Sequence, residues 1–143
     1  MNILFVCKWN RFRSRVAEAY FKKINKNKSI QVKSAGLIQG EYPIDEQQYK
    51  IAKEFGININ GKPQGISTDL LNWTDILIIV ANDVPKKIFK ENKKYGKKTI
   101  VWKIKDENFG NERNIRKIIS KIIKRIDKLN IILEKRYSKS NGN

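Results

Sequence analysis

The run Ile76-Leu77-Ile78-Ile79-Val80 constrains this chain most, because it is uninterruptedly apolar, almost wholly β-branched, and offers no polar face to water. A strand of this kind is stable only with both faces covered, as in the middle of a parallel sheet flanked by helices. A second such run, Ile3-Leu4-Phe5-Val6, opens the chain and ends abruptly at polar residues. Two shorter strands are expected at Ser29 to Ser34, where Ile30 and Val32 share a side, and at Thr99 to Trp102. The segments between them carry helical patterns. Ser14 to Lys26 has an apolar side of Val16, Ala17, Ala19, Tyr20, Phe21 and Ile24, and Ile44 to Phe55 is followed by Gly56 as a C-terminal stop. Asp83 to Lys93 reads as a basic helix with Pro85 in its first turn, and Asn60 to Gly65 reads as a loop. A long last helix is expected from about Asn111 to Lys135, with Ile115, Ile118, Ile119, Ile122, Ile126 and Leu129 at helical spacing. Strands alternating with helices predict an α/β fold whose ligand site lies at the carboxyl ends of the strands.

The length of 143 residues suits one domain with one substantial core. It is expected to span residues 1–137, with the polar residues 138–143 as a disordered tail. No stretch approaches the roughly 20 apolar residues of a membrane span, and Met1-Asn2 leads straight into a strand, so a cytoplasmic protein without membrane contact is expected. The net charge of +17 raises the question of nucleic acid. Lysines are spread over the whole chain within a general bias toward Lys, Ile and Asn, and no aromatics are interleaved with them as a stacking platform. Nucleic acid is therefore disfavoured as a partner despite the charge, although the positive field would help to draw in an anionic substrate.

There is one cysteine and no histidine. This excludes an intramolecular disulfide, Cys/His zinc sites and imidazole-activated nucleophiles. The cysteine occupies a telling position. In Cys7-Lys8-Trp9-Asn10-Arg11-Phe12-Arg13-Ser14 it follows a buried strand and precedes a helix, with an arginine six positions on. Loop amides and a helix N-terminus can converge there on one anion, and a guanidinium can return to the same point. A thiol in that setting is expected to ionise more readily and to attack phosphorus, while the planar fork of Arg13 donates two hydrogen bonds to a phosphoryl group.

The pattern Val6-Cys7-x-x-Asn10-x-x-Arg13-Ser14, followed by Ala17-Glu18-Ala19 and by Val32-Lys33-Ser34-Ala35-Gly36, resembles the low-molecular-weight protein tyrosine phosphatases and the related arsenate reductases. The resemblance continues through Trp73, the strand Asp75 to Val80 and the turn at Asp106. It implies a three-layer α/β/α sandwich on a four-stranded parallel sheet of order 2-1-3-4, with the phosphate loop after the first strand. It also implies a phosphocysteine mechanism in which Cys7 is the nucleophile, Arg13 the clamp and Asp106 the acid, with Glu107 as the alternative acid. Residues Lys8 to Ser14 would form the phosphate-binding loop, Ser14 would donate to the thiolate, and Asn10 would hold the loop in shape through a network that includes Ser34. The substrate would be a phosphorylated protein or small phosphomonoester, with no metal and no cofactor.

The chain departs from the family pattern at several places. Trp9 replaces a usual glycine, Phe12 a frequent second cysteine, Arg15 a usual proline, and Glu107 the proline that commonly follows the acid. Trp9 would either wall the cleft or narrow it, and Tyr42 and Phe109 are further candidates to line it. Two other readings stand beside the phosphatase. One is an arsenate reductase that relies on an external thiol, since relay cysteines are absent; the other is a phosphate-binding module whose altered loop has lost turnover.

Overall fold

The computed structural model describes residues 1–40, 43–90, 97–106 and 110–141. The strands β1 (Asn2–Cys7), β2 (Gln31–Gly36), β3 (Ile76–Val80) and β4 (Lys98–Trp102) form one sheet in the order β2-β1-β3-β4. All three pairings are parallel. The helices are α1 (Arg13–Ile24), α2 (Glu46–Glu54), α3 (Thr68–Trp73) and α4 (Glu112–Asn141), with a 3-10 turn at Lys86–Phe89. The expected α/β architecture and strand order are both present.

The apolar runs are continuous because each strand feeds two cores. Ile3, Phe5, Ile76, Ile78 and Val80 pack on one face of the sheet with Val16, Ala17 and Phe21 of α1, Ile51 and Ala52 of α2, and Ile115, Ile119, Ile122 and Ile126 of α4. Leu4, Val6, Leu77 and Ile79 point to the other face, against Leu70 of α3, Val84 and Phe89. Side chains alternate across a strand, so covering both faces requires every position to be apolar. Each fully buried Ile or Phe contributes roughly 1.5–3 kcal/mol, and β3 is buried at every position. This burial, rather than surface charge, holds the strand ends in fixed relation.

Several expectations change in detail. The basic helix expected from Asp83 begins instead as bends and the short 3-10 turn, Lys90 after it is helical, and residues 91–93 lie outside the described residues. Asp83 lies just beyond the carboxyl end of β3. α3 escapes periodicity because six residues are too few to show it; its only clear signal is Ser67, whose hydroxyl accepts from the Leu70 amide at 3.1 Å. α4 runs past the expected end at Lys135 to Asn141, so residues 138–141 are helical. The stop at Gly56 holds, with φ of 71° directly after the last turn of α2. No helix among the described residues is long and apolar enough to cross a membrane.

Tyr20 links α1 to α4 by donating to Asp127 Oδ1 at 2.7 Å. Burial first, and then that bond and the carboxylate's charge, push the phenol up to about 12 from 10.0. Folding thus favours the protonated phenol, so its contribution is complete below pH 10 and is lost as pH rises through 12. Chemical denaturation of wild type and Tyr20→Phe across that range checks this. The wild type should lose stability that the variant does not, and parallel curves would contradict the assignment.

Candidate active site

The loop between β1 and α1 is fixed from several sides before any charge is considered. Just beyond β2, Leu37 N donates to Cys7 O at 2.9 Å and Ile38 N donates to Lys8 O at 3.0 Å. Gly36 lets the loop lie this close: a Cβ there would stand 2.7 Å from the Trp9 carbonyl carbon and 2.9 Å from Asn10 N. Asn10 itself adopts φ of 55°, the left-handed region that asparagine tolerates better than most residues. The helix then starts at Arg13 with Phe12 in the capping position, no side-chain cap and no acidic residue in its first turn. In contrast, Asp45, Ser67 and Asn111 cap the starts of α2, α3 and α4 with side-chain oxygens. The first-turn N–H groups of α1 therefore face the loop without a protein carboxylate or hydroxyl capping them, an arrangement suited to an anion.

A buried amide organises the loop. Asn10 is fully buried, and its Nδ2 donates to Ser14 Oγ at 2.8 Å and to Ser34 Oγ at 2.9 Å. Its Oδ1 accepts from the Gln64 amide at 2.9 Å and from Arg15 Nη1 at 3.5 Å. The Gln64 N–H can only donate, so it fixes which end of the Asn10 amide is oxygen. From there the directions follow. Ser34 gives its own proton to Glu18 Oε1, and Ser14 Oγ lies 3.0 Å from Cys7 Sγ. A thiolate can only accept, so with Cys7 ionised Ser14 is the donor.

Arg13 is 2% exposed and both of its terminal nitrogens are held. Nη1 donates to Ile104 O at 2.8 Å, and Nη2 pairs with Asp83 Oδ1 at 3.0 Å and with Asp106 Oδ2 at 3.7 Å. Each terminal nitrogen carries two N–H groups, so these contacts orient the fork without exhausting it. Beside it lies a cleft of about 170 Å³ lined by Cys7, Trp9, Arg11, Phe12, Arg13 and Asp106, with Asp45 and Gln48 closing it from α2. A thiol, a guanidinium and a carboxylate share one small polar space.

The family model for low molecular weight phosphotyrosine protein phosphatase matches residues 2–139. The chain belongs to this family. Several solved structures are similar to it. The YwlE arginine phosphatase from Geobacillus stearothermophilus is 21% identical, with a TM-score of 0.84 and 96% of each chain covered. A low molecular weight protein tyrosine phosphatase from T. tengcongensis is 25% identical, with a TM-score of 0.78 over 90% of this chain and 97% of that one. An arsenate reductase from Archaeoglobus fulgidus DSM 4304 is 26% identical, with a TM-score of 0.69 over 90% of this chain and 98% of that one. A comparison with curated proteins finds no match. As a family member the chain is a cysteine-dependent phosphatase, with Cys7 at the active-site position.

The residues expected at the site fall into three groups in this low-molecular-weight phosphatase. Cys7, Trp9, Arg11, Phe12, Arg13 and Asp106 line the cleft. Asn10, Ser14 and Ser34 lie behind it in the network. Lys8 is on the loop but turns toward the Trp9 ring, its Nζ 5.5 Å from the ring centre. Arg11 lines the cleft while its Nε donates to Pro43 O at 3.0 Å. Trp9 forms a wall and lies against Gly40, where a Cβ would stand 3.3 Å from its ring. Glu107, Tyr42 and Phe109 lie outside the described residues.

Sequence reasoning missed the residues that support these. Asp83 orients Arg13, and its one signal was its place just beyond the carboxyl end of β3. Gln64 and Asp45 gave none. Arg15, at the usual proline, proves to be a brace: Nε donates to Ile59 O at 3.1 Å, Nη1 to Lys62 O at 2.9 Å and Nη2 to Asn60 O at 2.6 Å. Burial holds its guanidinium below the usual range, and Glu18 and Cys7 act the other way. It clamps the loop whose Gln64 reaches Asn10, and proline could make none of these bonds.

Gly36→Ala tests how tightly the loop is placed. The added methyl must displace the Trp9–Asn10 backbone, and a misplacement near 1 Å can cost about 10²-fold in rate. We expect a loss of that order in kcat/KM on p-nitrophenyl phosphate with an unchanged circular dichroism spectrum. Undiminished activity would show that the close approach is not needed.

Proposed function

We propose that this phosphatase hydrolyses phosphotyrosine or a similar phosphomonoester through a phosphocysteine intermediate. The observation that carries the reading is the shared cleft of Cys7, Arg13 and Asp106, with Ser14 Oγ 3.0 Å behind the sulfur. The Cys7 thiolate attacks phosphorus, forming the S–P bond as the P–O bond to the alcohol breaks. The departing oxygen takes its proton from Asp106. Loop amides, the start of α1 and the Arg13 fork bind the phosphoryl oxygens as they become equatorial, where charge-assisted bidentate contacts are strongest. Water then attacks the phosphocysteine and gives a proton to the Asp106 carboxylate. Inorganic phosphate leaves, and Ser14 donates to the sulfur as it regains its charge. No metal or cofactor takes part in this scheme. A nucleophilic thiol needs a reducing compartment, so the reading goes with a cytoplasmic protein.

The likeness to the Archaeoglobus fulgidus arsenate reductase favours a second reading, since arsenate matches phosphate in shape and charge. Cys7 is the chain's one cysteine, so reduction would require an external thiol to complete each cycle. Arsenate-dependent consumption of that thiol, set beside p-nitrophenyl phosphate hydrolysis, separates the two.

Cys7→Ser is expected to abolish turnover and still bind phosphate or vanadate, as followed by calorimetry. Full activity in this variant would refute nucleophilic catalysis. No turnover even in the wild type would leave the phosphate-binding module. For Asp106→Asn we expect little loss with p-nitrophenyl phosphate, whose leaving group needs no proton, and a loss of about 10²–10⁴ with an alkyl phosphate. Equal losses on both substrates would remove Asp106 from the acid role.

A further inference from the structure

A second cleft of about 230 Å³ is lined by Lys105, Asp106, Asn114, Lys117, Ile118 and Lys121. Asp106 also lines the catalytic cleft, so the two spaces share that residue as a wall. Asn114, Lys117 and Lys121 stand at i, i+3 and i+7 on α4, hence on one face, and Lys105 comes from the segment after β4. Buried Ile118 gives the cleft an apolar floor.

The lysines on this face share one concave surface with Asp106. Arg116 is paired with Glu54 at 3.0 Å and with Glu112 at 3.4 Å. Among the described residues, no carboxylate lies within ion-pair distance of Lys105, Lys117 or Lys121. The carboxylate on the rim, that of Asp106, faces Arg13 at 3.7 Å. Like charges gathered on one concave surface repel one another, and a concave surface focuses their field. A general excess of lysine explains their number but not their placement beside the leaving-group acid.

We propose that this cleft is an anion subsite for the leaving-group side of the substrate, and that the preferred substrate is a phosphotyrosyl polypeptide with Asp or Glu close to the phosphorylated residue. The proposal rests on the phosphatase reading, because it places the leaving group next to Asp106. A peptide then extends from the phosphoryl group past Asp106 onto α4, where its carboxylates meet three ammonium groups. Lysine suits this use, since point charges on flexible stems accept acidic side chains at varied positions. Among the described residues, no aromatic side chain lines the cleft to stack a base.

The test uses three phosphotyrosyl peptides of equal length with acidic, neutral or basic flanks, measured on the wild type and on Lys117→Glu/Lys121→Glu. Binding is read by calorimetry on Cys7→Ser forms of both, turnover by phosphate release, and p-nitrophenyl phosphate serves as a substrate without flanks. The acidic peptide is expected to bind and react about tenfold better than the neutral one at low salt, with the advantage shrinking as salt rises. The double variant should lose or reverse that order while hydrolysing p-nitrophenyl phosphate as the wild type does. Equal binding of all three peptides, or an acidic preference that survives in the double variant, overturns the subsite. So does preferential binding of a 5′-phosphorylated oligonucleotide. If p-nitrophenyl phosphate is not hydrolysed at all, the catalytic reading fails, and the binding order on Cys7→Ser still decides the subsite.

Discussion

The active-site loop depends on one buried amide with every hydrogen-bonding position filled. Asn10 offers two donors and two lone pairs, and Ser14, Ser34, Gln64 and Arg15 take all four. Leaving a buried polar group unpaired costs about 1–3 kcal/mol, and removing this amide would strip partners from several groups together. The same residue occupies a left-handed backbone position that costs most side chains roughly 1–3 kcal/mol. The network offsets that cost, and in return the loop curls so that Cys7 and Arg13 face one space. Donation runs outward from the amide along two arms, through Ser34 to the Glu18 carboxylate and through Ser14 to the sulfur.

The network can be rigid because its anchors stand on the sheet and on helices packed against it. Cys7 ends β1, Ser34 lies on β2, and Ser14 and Glu18 belong to the first turns of α1. Asp83 follows β3, while Ile104 and Asp106 follow β4. Every strand thus sends a residue to the same end of the sheet. The apolar alternation that fills both cores also sets the relative heights of those ends, through a register in which Cys7 pairs with Gly36 and Val6 with Ile79. Packing fixes the frame, and the polar residues then need only short reaches.

What the sequence made legible follows from this division. The strands were readable because burial on both faces demands continuous apolar runs, and α1, α2 and α4 because one-sided burial demands a stripe. Cys7, Arg13, Ser14 and Asn10 were readable because they are neighbours in the chain and carry their chemistry in their spacing. Asp83, Gln64, Asp45 and Arg15 were not. They reach the site from other segments or act through backbone carbonyls, and neither relation leaves a trace in local pattern. The 3-10 turn at Lys86–Phe89 defeated a helical reading for a related reason: the chain beyond β3 must first deliver Asp83 to Arg13, and a helix begun at residue 83 would compete with that placement.

The departures from the family pattern become intelligible once the loop's supports are traced. A glycine two positions after Cys7 would serve a close backbone approach; here Gly36 on the neighbouring strand β2 admits that approach, because a Cβ there would meet the Trp9 and Asn10 backbone. The indole then rests on Gly40 and walls the cleft. A proline after Ser14 would stiffen the first turn of α1 from within. Arg15 stiffens the site from outside instead, by tying three carbonyls of the 59–62 segment to the helix and so bringing Gln64 to Asn10. Both substitutions move a constraint from the phosphate loop to its neighbours and keep the geometry that places sulfur, guanidinium and carboxylate around one cleft.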